Sequence, residues 1–252
     1  MKIVYFATPS IALSTLEYLF NQEDVEICAV VTQPDRPSGR GHKIIFSPIK
    51  EFALKHNIEV LQPEKIRDNQ ECIKRLQQIK PDFFVTFAFG QILSQEVLDI
   101  PKNSTINLHG SILPKYRGAN PIFRAILDGE EKTGATTMKT DIGLDSGDIC
   151  IIEEIEITSD MNAIELVEEF EKISPALMYK TLKGLSNNTI TPIPQDHSQA
   201  TIAKKFKKED GIIDWNKTAQ EIHNQVRAML IFPVAQTTFN NKALKILKAK
   251  NI

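Results

Sequence analysis

The first thirty residues alternate between apolar runs and a helical pattern, and this alternation constrains the fold more than any other feature. Lys2–Ala7 is rich in β-branched and aromatic residues, Ser10–Asn21 has apolar residues at helical spacing, and Val25–Thr32 is a second apolar strand. Two strands joined through a helix in so short a stretch are typical of a parallel sheet. The turn after the first strand has no glycine, whereas a dinucleotide-binding turn needs glycines to approach a pyrophosphate. We therefore expect a Rossmann-like sheet without a nicotinamide cofactor.

The same strand and helix patterns continue along the chain until the composition changes near residue 187. We predict an α/β fold for residues 1–186, with a mostly parallel sheet flanked by helices. Residues 187–200 are polar, carry two prolines and lack periodicity, which predicts a linker. In residues 201–252 we predict a short strand at Ile202–Phe206, a helix at Lys217–Met229, and a hairpin of Val234–Phe239 and Ala243–Leu247 about Asn240–Asn241, which is too little for an independent core. We interpret them as an incomplete second domain.

Positive charge is concentrated near the C-terminus, although the net charge is −2 at pH 7. From Thr201 onward there are ten Lys or Arg and four Asp or Glu. Such a basic surface is expected where a protein meets nucleic acid. A solvated, lysine-rich surface without a partner is the alternative interpretation.

Neither a signal peptide nor a membrane span is expected from the sequence. The apolar run at the N-terminus is too short for a signal peptide, and no later segment approaches the length of a span. The cysteines and histidines are scattered without metal-ligand spacing. We expect a cytoplasmic protein without membrane contact and without a bound metal.

Gln33–Lys43 is a basic segment with unusual composition. It holds two prolines, two glycines and three cations in eleven residues, which excludes a helix or an interior strand. We predict an exposed, mobile loop. Loops of this length within a compact domain are often functional, although a plain surface connection remains the alternative.

A candidate site lies where a short alternating run ends, at residues 105–121. Ile106 and Leu108 face one way, so the side chains of Asn107 and His109 should project together from the other face at the end of a strand. Gly110 then ends the strand. Ligands of parallel sheets bind beyond the carboxyl ends of their strands, so an amide and an imidazole presented there predict a site.

Asp141–Asp148 carries three aspartates and two glycines between two predicted strands. It resembles a calcium loop only superficially, because the required later glutamate is misplaced and Ile142 and Leu144 interrupt the oxygen ligands. We expect a turn that aims one aspartate at the histidine of the neighbouring strand.

Asn107, His109 and Asp145 together provide an amide donor, a titratable imidazole and a carboxylate. Ser111 lacks the glycine signature of a nucleophile elbow. The constellation therefore favours acyl transfer without a covalent enzyme intermediate: the amide and the imidazole hold an oxyanion, and the carboxylate orients the imidazole. A structural histidine satisfied by a nearby carboxylate remains the alternative at this point.

Several segments carry a resemblance to a known family. Asn107–Pro114 reads Asn-Leu-His-Gly-Ser-Ile-Leu-Pro, Tyr116–Gly118 follows it, and Asp141–Asp148 lies downstream. Together they resemble the folate-dependent formyltransferase family. The basic loop Gln33–Lys43 and the segment Asp210–Trp215 resemble the members of that family that act on a charged tRNA. The resemblance covers nearly the whole chain.

The resemblance implies a reaction and a set of site residues. The donor would be 10-formyltetrahydrofolate and the acceptor the α-amine of methionine on initiator methionyl-tRNA, by direct amine attack through a tetrahedral intermediate and without a metal. Asn107, His109 and Asp145 would be catalytic. The implied folate contacts are Ser111, Ile112, Leu113, Pro114, Phe89, Gly90, Ile92 and Asp141. The implied tRNA contacts are Arg36, Arg40, Lys43, Lys204, Lys205 and Lys207.

The same resemblance implies a domain organisation and leaves two alternatives. Residues 1–186 would be the catalytic domain and residues 201–252 part of a small, OB-like β-barrel domain that binds tRNA, apparently shortened. A monomer is expected. A sugar-nucleotide N-formyltransferase would share the catalytic trio without needing the basic loop or tail. An inactive paralogue that binds folate or tRNA is the alternative from another class, which the intact trio disfavours.

Overall fold

A computed structural model describes residues 1–38 and 43–250 of the protein. The chain divides into two compact units, and it passes between them several times. The first unit comprises Met1–His109, Thr137–Ile151 and Glu171–Gln195, and the second comprises Gly110–Thr136, Ile152–Phe170 and the chain from Asp196 onward. These units follow spatial contacts, not chain order, so the domain boundaries predicted at residues 186 and 200 stay a prediction.

Most strands belong to one sheet that is largely parallel. The strands are β1 (Lys2–Ala7), β2 (Glu26–Val31), β3 (Pro37–Ser38), β4 (Lys43–Ile44), β5 (Glu59–Leu61), β6 (Phe83–Phe87), β7 (Ser104–His109), β8 (Arg117–Gly118), β9 (Lys132–Lys139), β10 (Ile149–Glu156), β11 (Ile202–Ala203), β12 (Gln236–Phe239) and β13 (Lys242–Lys245). Within the described residues, seven strands form the main sheet in the order β10–β9–β7–β6–β1–β2–β5. β1 pairs in parallel with β2 and β6, β2 with β5, and β6 with β7. The predicted Rossmann-like, mostly parallel sheet is confirmed.

Several helices begin at a residue whose side chain caps them. The helices are α1 (Leu13–Phe20), α2 (Pro48–Lys55), α3 (Gln70–Ile79), α4 (Gln95–Leu98), α5 (Pro121–Leu127), α6 (Ala163–Ser186) and α7 (Ala219–Ala228), with 3₁₀ turns at Ser10–Ala12, Ile66–Asp68, His197–Gln199 and Lys208–Gly211. Among them, α2, α3 and α7 are capped in this way, whereas α1, α4 and α5 have no side-chain cap. Ser47 caps α2, because its hydroxyl accepts a hydrogen bond from the Lys50 backbone N–H at 3.1 Å. None of the helices in the described ranges has the length and apolar character that a bilayer crossing requires.

Aromatic packing fixes where β6 ends in the first unit. Phe6 of β1 lies 4.7 Å from Phe84 of β6 and 5.4 Å from Phe89, measured between ring centroids. All three rings are buried. Full burial of one such side chain stabilises the fold by about 1.5–3 kcal/mol. The strand therefore stops at Phe87 with its following loop anchored in the core.

The described parts of the basic segment include two short strands. Pro37–Ser38 pairs in antiparallel fashion with Lys43–Ile44, which makes a two-residue hairpin apart from the main sheet. Residues 39–42 lie outside the described residues. The exclusion of a helix and of an interior strand agrees with this hairpin.

The segment 187–200 also contains pairing that its composition does not indicate. Ile193 and Ile149 exchange two backbone hydrogen bonds of 2.8 Å as an antiparallel bridge beside β10. This bridge attaches the segment to the first unit as far as Gln195.

The second unit contains the predicted short antiparallel strands. β12 and β13 form a hairpin whose turn residues, Asn240 and Asn241, have φ of 49° and 59°. A two-residue hairpin turn of this class needs positive φ at both positions, which asparagine tolerates. The strand predicted at residues 202–206 is shorter, Ile202–Ala203, because its partner β8 offers only two residues for pairing.

Candidate active site

The carboxyl end of β7 presents Asn107 and His109 as the alternation predicted. Ile106 and Leu108 on the opposite face are 0% and 3% exposed. Asn107 is half-buried and His109 is 5% exposed. Two polar side chains are therefore held between strands instead of in open solvent.

The side chain of Asn107 is oriented by a residue that the sequence prediction missed. Thr86 pairs with Asn107 in the parallel register of β6 and β7. Its hydroxyl donates a hydrogen bond of 2.8 Å to Asn107 Oδ1. With the amide oxygen turned toward Thr86, the amide nitrogen Nδ2 points the other way. A single hydroxyl in the otherwise apolar run of β6 was the available signal.

Asp145 lies in the loop that joins β9 to β10, called here the Asp145 loop (residues 140–148). Lys139 closes it by donating its backbone N–H to the Asp148 carbonyl at 2.9 Å. Asp145 itself has φ of 47°, the left-handed region that residues other than glycine rarely adopt. A Cβ at Gly147 would collide with the Lys139 carbonyl oxygen, so glycine is required for this tight closure.

Asp141 organises the Asp145 loop internally. Its carboxylate accepts a hydrogen bond of 3.0 Å from the Gly143 backbone N–H and one from the Ser146 hydroxyl, which lies 2.9 Å from both carboxylate oxygens. This arrangement is an Asx turn. Asp141 was predicted as a folate contact, and its carboxylate oxygens here support the loop.

The Asp145 loop brings its carboxylate to His109. The distance from His109 Nδ1 to Asp145 Oδ2 is 3.6 Å, with the side chains 6% and 18% exposed. This separation suits an ion pair when the imidazole is protonated and lies just beyond a direct hydrogen bond. Because the pair is largely shielded from water, the carboxylate can hold the imidazole in a defined orientation.

Gln195 is a second residue near the site that the sequence prediction missed. Its amide group donates hydrogen bonds to the carbonyl oxygens of Asp145 at 3.0 Å and Gly147 at 2.7 Å. Gln195 lies in the non-periodic segment 187–200, where no local pattern distinguishes it from its polar neighbours.

The loop after β6 offers mainly backbone groups and one exposed apolar side chain. The Phe89 ring packs in the core, while its carbonyl oxygen accepts a hydrogen bond of 3.0 Å from Gln33 Nε2. Gly90 has φ of 81°, and Ile92 is 70% exposed. Of the predicted folate contacts here, Ile92 presents its side chain and Phe89 only its backbone.

The predicted folate contacts after Gly110 are held by internal bonds in the second unit. Ser111 is fully buried, and its hydroxyl donates to the Lys115 carbonyl at 2.6 Å. The Thr136 hydroxyl donates to the Ser111 carbonyl at 2.6 Å. Leu113 is buried, while Ile112 and Pro114 are half-buried. Their contact with folate stays a prediction.

A half-buried polar cluster supports the base of the basic segment. The Lys50 ammonium contacts the Asp35 carboxylate and donates to Gln62 Oε1 at 2.8 Å. The amide of Gln62 in turn donates to the Gln33 carbonyl at 2.9 Å and to Asp35 Oδ1 at 3.0 Å. The hydrogen bond from Lys50 holds the pKa of Asp35 below its usual value, with Gln62 adding to the effect.

The predicted tRNA contacts differ in how much of each is described. Arg36 is exposed and pairs with Glu64 at 3.0 Å. Arg40 lies outside the described residues, and Lys43 is described only through its backbone in β4. Lys204, Lys205 and Lys207 are all exposed. Within the described residues, no group of three or more His, Cys, Asp or Glu could hold a metal ion.

Comparison with known proteins gives a consistent result over nearly the whole chain. The sequence pattern of the formyl transferase family matches residues 1–182, and that of the formyl transferase C-terminal domain matches residues 205–252. The methionyl-tRNA formyltransferase of Acetivibrio thermocellus is 48% identical over 246 residues, 98% of this chain and 78% of that protein. That of a Sulfurihydrogenibium species is 44% identical over 250 residues, 99% of this chain and 80% of that protein.

Solved structures with a similar fold include two N-formyltransferases, one of them a sugar enzyme and the other bound to a sugar nucleotide. WlaRD, a sugar 3N-formyl transferase crystallised with dTDP and 5-N-formyl-THF, has a TM-score of 0.73 at 25% identity, covering 98% of this chain and 85% of that one. An N-formyltransferase of Helicobacter canadensis in complex with folinic acid and dTDP-3-aminofucose has a TM-score of 0.72 at 26% identity, covering 98% and 87%.

The parallel sheet, the Asn107–His109 strand end and the family match together define an enzyme class. The chain belongs to the formyl transferase family, which uses a folate-derived formyl donor. The methionyl-tRNA formyltransferases are 44–48% identical to this chain over almost its whole length, whereas the two sugar-related enzymes are 25–26% identical. Within the family, the chain belongs to the methionyl-tRNA formyltransferases.

Proposed function

We propose that the protein transfers the formyl group of 10-formyltetrahydrofolate to the α-amine of methionine on initiator methionyl-tRNA. The observation that carries this proposal is the geometry of Asn107, His109 and Asp145 in a chain whose relatives at 44–48% identity are methionyl-tRNA formyltransferases. No nucleophilic side chain of the enzyme takes part in the proposed reaction.

Asn107 and His109 stabilise the charge that develops on the formyl oxygen. As the lone pair of the amine forms the C–N bond, the carbonyl π electrons move onto oxygen. We assign Nδ2 of Asn107 and Nε2 of His109 as the donors to that oxygen. Thr86 already fixes the Asn107 amide, so little reorganisation is needed at the moment of reaction.

Asp145, which lies beside His109, accepts and returns the proton that the attacking amine loses. The amine loses one proton on attack, and Asp145 accepts it, directly or through water. Return of the oxyanion electrons then breaks the bond to N10 of the folate, and Asp145 gives the leaving nitrogen, directly or through water, the proton that it took from the amine. Tetrahydrofolate and formylmethionyl-tRNA are the products, and the enzyme returns to its initial protonation state.

The loop after β6 has features that suit the binding of a pterin, a flat ring that carries an amide group. Exposed Ile92 provides an apolar surface, and the left-handed backbone at Gly90 exposes backbone groups that can hydrogen-bond to a pterin edge. These features support the assignment of Phe89, Gly90 and Ile92 to the donor site. Ser111–Pro114 and Asp141 are assigned to it by family resemblance.

Charge complementarity supports tRNA as the partner. The exposed Lys204, Lys205 and Lys207 can meet phosphates of the acceptor stem, and Arg36, Arg40 and Lys43 are assigned to the same substrate. Charged initiator tRNA is consumed where translation begins, so we assign the enzyme to the cytoplasm. We further propose that it acts as a monomer, which size-exclusion chromatography with light scattering would check.

A sugar-nucleotide acceptor is the second candidate, because the similar solved structures include a sugar enzyme and an N-formyltransferase bound to a sugar nucleotide. The test offers the purified protein 10-formyltetrahydrofolate with either methionyl initiator tRNA or an amino-sugar nucleotide. We expect formylmethionyl-tRNA and no formylated sugar. Transfer to the sugar alone would overturn the proposed acceptor. Failure with both acceptors would favour the inactive, ligand-binding paralogue.

A further inference from the structure

Gln195 is a buried amide that the reaction itself does not use. Its side chain is 5% exposed, although it lies in a polar segment whose neighbours are mostly exposed. The antiparallel bridge between Ile193 and Ile149 carries the chain to this position beside β10. Burial of a polar side chain is unfavourable unless its hydrogen-bonding groups find partners, so the partners of Gln195 indicate its purpose.

Two of those partners are carbonyl oxygens of the Asp145 loop, and the Met138 sulfur of β9 also lies 3.9 Å from the amide nitrogen. One nitrogen, Nε2, donates to the Asp145 carbonyl at 3.0 Å and to the Gly147 carbonyl at 2.7 Å. The two residues flank Ser146, whose hydroxyl is tied to the Asp141 carboxylate. Gln195 therefore holds the backbone on both sides of the point where the loop turns.

The backbone at Asp145 needs such support. Its φ of 47° is uncommon for a residue with a Cβ, and such conformations persist where the surroundings over-determine them. Releasing the two carbonyl groups would let the backbone relax toward an ordinary conformation. The Asp145 carboxylate would then move away from His109, from which it is 3.6 Å distant.

We propose that Gln195 is a positioning residue for formyl transfer: it fixes the backbone of Asp145 so that the carboxylate stays aligned with His109. This inference rests on the proposed role of Asp145 in the reaction. Gln195 acts through Asp145 and makes no contact with the reacting atoms in this account. A misplacement of about 1 Å at a catalytic group can cost on the order of 100-fold in rate.

The test replaces Gln195 with methionine, which keeps the length of the side chain and removes the donor. Gln199→Met, at an exposed position in the same segment, is the matched control. We expect Gln195→Met to lower kcat by about 30-fold. The KM for folate should stay within about twofold, since the loss concerns alignment and not ground-state binding. The control should match the native enzyme.

A double-mutant cycle separates positioning from general damage. If Gln195 acts through the Asp145 carboxylate, adding Gln195→Met to Asp145→Asn should lower the single-turnover rate no further. A second loss of about 30-fold in the double variant would overturn the inference, as would a native kcat in Gln195→Met.

Two further measurements keep the inference testable if that variant folds poorly or the acceptor differs. Gln195→Glu keeps the shape, and its protonated form can donate one bond, so its kcat relative to the native enzyme should recover as pH falls. A ratio that does not change with pH would contradict the inference.

Hydrogen exchange of backbone amides 141–148 is a measurement that needs no turnover. Gln195→Met should speed exchange there selectively. Unchanged exchange would count against Gln195 alone, whereas native enzyme inactive on tRNA would count against the proposed acceptor alone.

Discussion

The Asp145 loop and the lysine segment 204–207 both serve the proposed reaction, yet they are built in opposite ways. In the Asp145 loop, side chains and backbone groups are tied by short hydrogen bonds, and the carboxylate is 18% exposed. In the lysine segment, the ammonium groups of Lys204, Lys205 and Lys207 are exposed to solvent. The Asp145 loop holds its carboxylate in a fixed position, whereas the lysine segment presents positive charge to solvent.

This difference in construction predicts whether a substitution in each region should change kcat or tRNA binding. Chemistry at the formyl carbon depends on alignment within fractions of an ångström, so a single change in the fixed region should produce a large effect on kcat. Attraction between exposed cations and phosphates is long-ranged, screened by salt and shared among several residues. Changes there should be graded and should act on binding.

The largest effect is expected for Asp145→Asn. This change keeps the size of the side chain and removes the charge that faces His109 Nδ1 at 3.6 Å. We expect kcat to fall on the order of 10³-fold, because the imidazole loses the carboxylate that orients it and the attacking amine loses its proton acceptor. Steady-state kinetics with methionyl-tRNA would measure the fall, and calorimetry should show native affinity for 5-formyltetrahydrofolate. Turnover within tenfold of native would remove Asp145 from the mechanism.

A smaller effect is expected for Thr86→Val. This substitution preserves shape and removes the hydroxyl that donates to Asn107 Oδ1. We expect about a tenfold loss in kcat with little change in KM, since the amide becomes less firmly oriented. Thr105→Val is the matched control, because the Thr105 hydroxyl is buried without a hydrogen-bond partner. The control should leave kcat native; equal losses in both variants would mean that neither hydroxyl has a specific role.

The triple change Lys204→Gln, Lys205→Gln, Lys207→Gln should weaken tRNA binding and spare the chemistry. We expect about a tenfold higher Kd at physiological salt and a log–log salt slope lower by about two to three. Fluorescence titration across salt concentrations measures both. The control replaces the exposed Lys55, Lys74 and Lys102 with glutamine. An equal loss in the control would show that net charge, and not this segment, drives binding.

The smallest effect concerns Lys50→Met at the base of the basic segment. Because Lys50 keeps the pKa of Asp35 low in the folded state, the pair stabilises the fold above the unfolded carboxyl pKa of about 4. That stabilisation is lost as pH falls through the lower, folded value. We expect the variant to melt roughly 1–3 °C lower at pH 7. The difference should shrink as the pH falls below about 4 in thermal scans, whereas Lys55→Met should show no such trend.

The sequence predicted the parts of the site that local patterns encode. Period-two alternation is a local property, so the pairing of Asn107 with His109 on one face followed from four residues. That an aspartate of residues 141–148 would reach the histidine also followed, because neighbouring strands bring their connecting turns together. The hairpin at Asn240–Asn241 was predicted from its turn residues.

Other features depend on contacts between distant segments, which no periodicity reveals. Gln195 reaches the Asp145 loop because Ile193 pairs with Ile149, far away in sequence. Phe89 packs against Phe6, so its ring serves the core and leaves its carbonyl for other contacts. The sequence could have indicated Thr86, because it is the only polar residue in β6. Its partner could not be predicted, because strand register determines it.

Single-turnover formyl transfer at saturating tRNA and folate tests the division between the two regions most directly. Under these conditions binding no longer limits the rate, so the measurement reports alignment at the formyl carbon. The account predicts a rate on the order of 10³-fold below native for Asp145→Asn and a native rate for the triple lysine variant. A native rate for Asp145→Asn, or an equally slow triple variant, would contradict it.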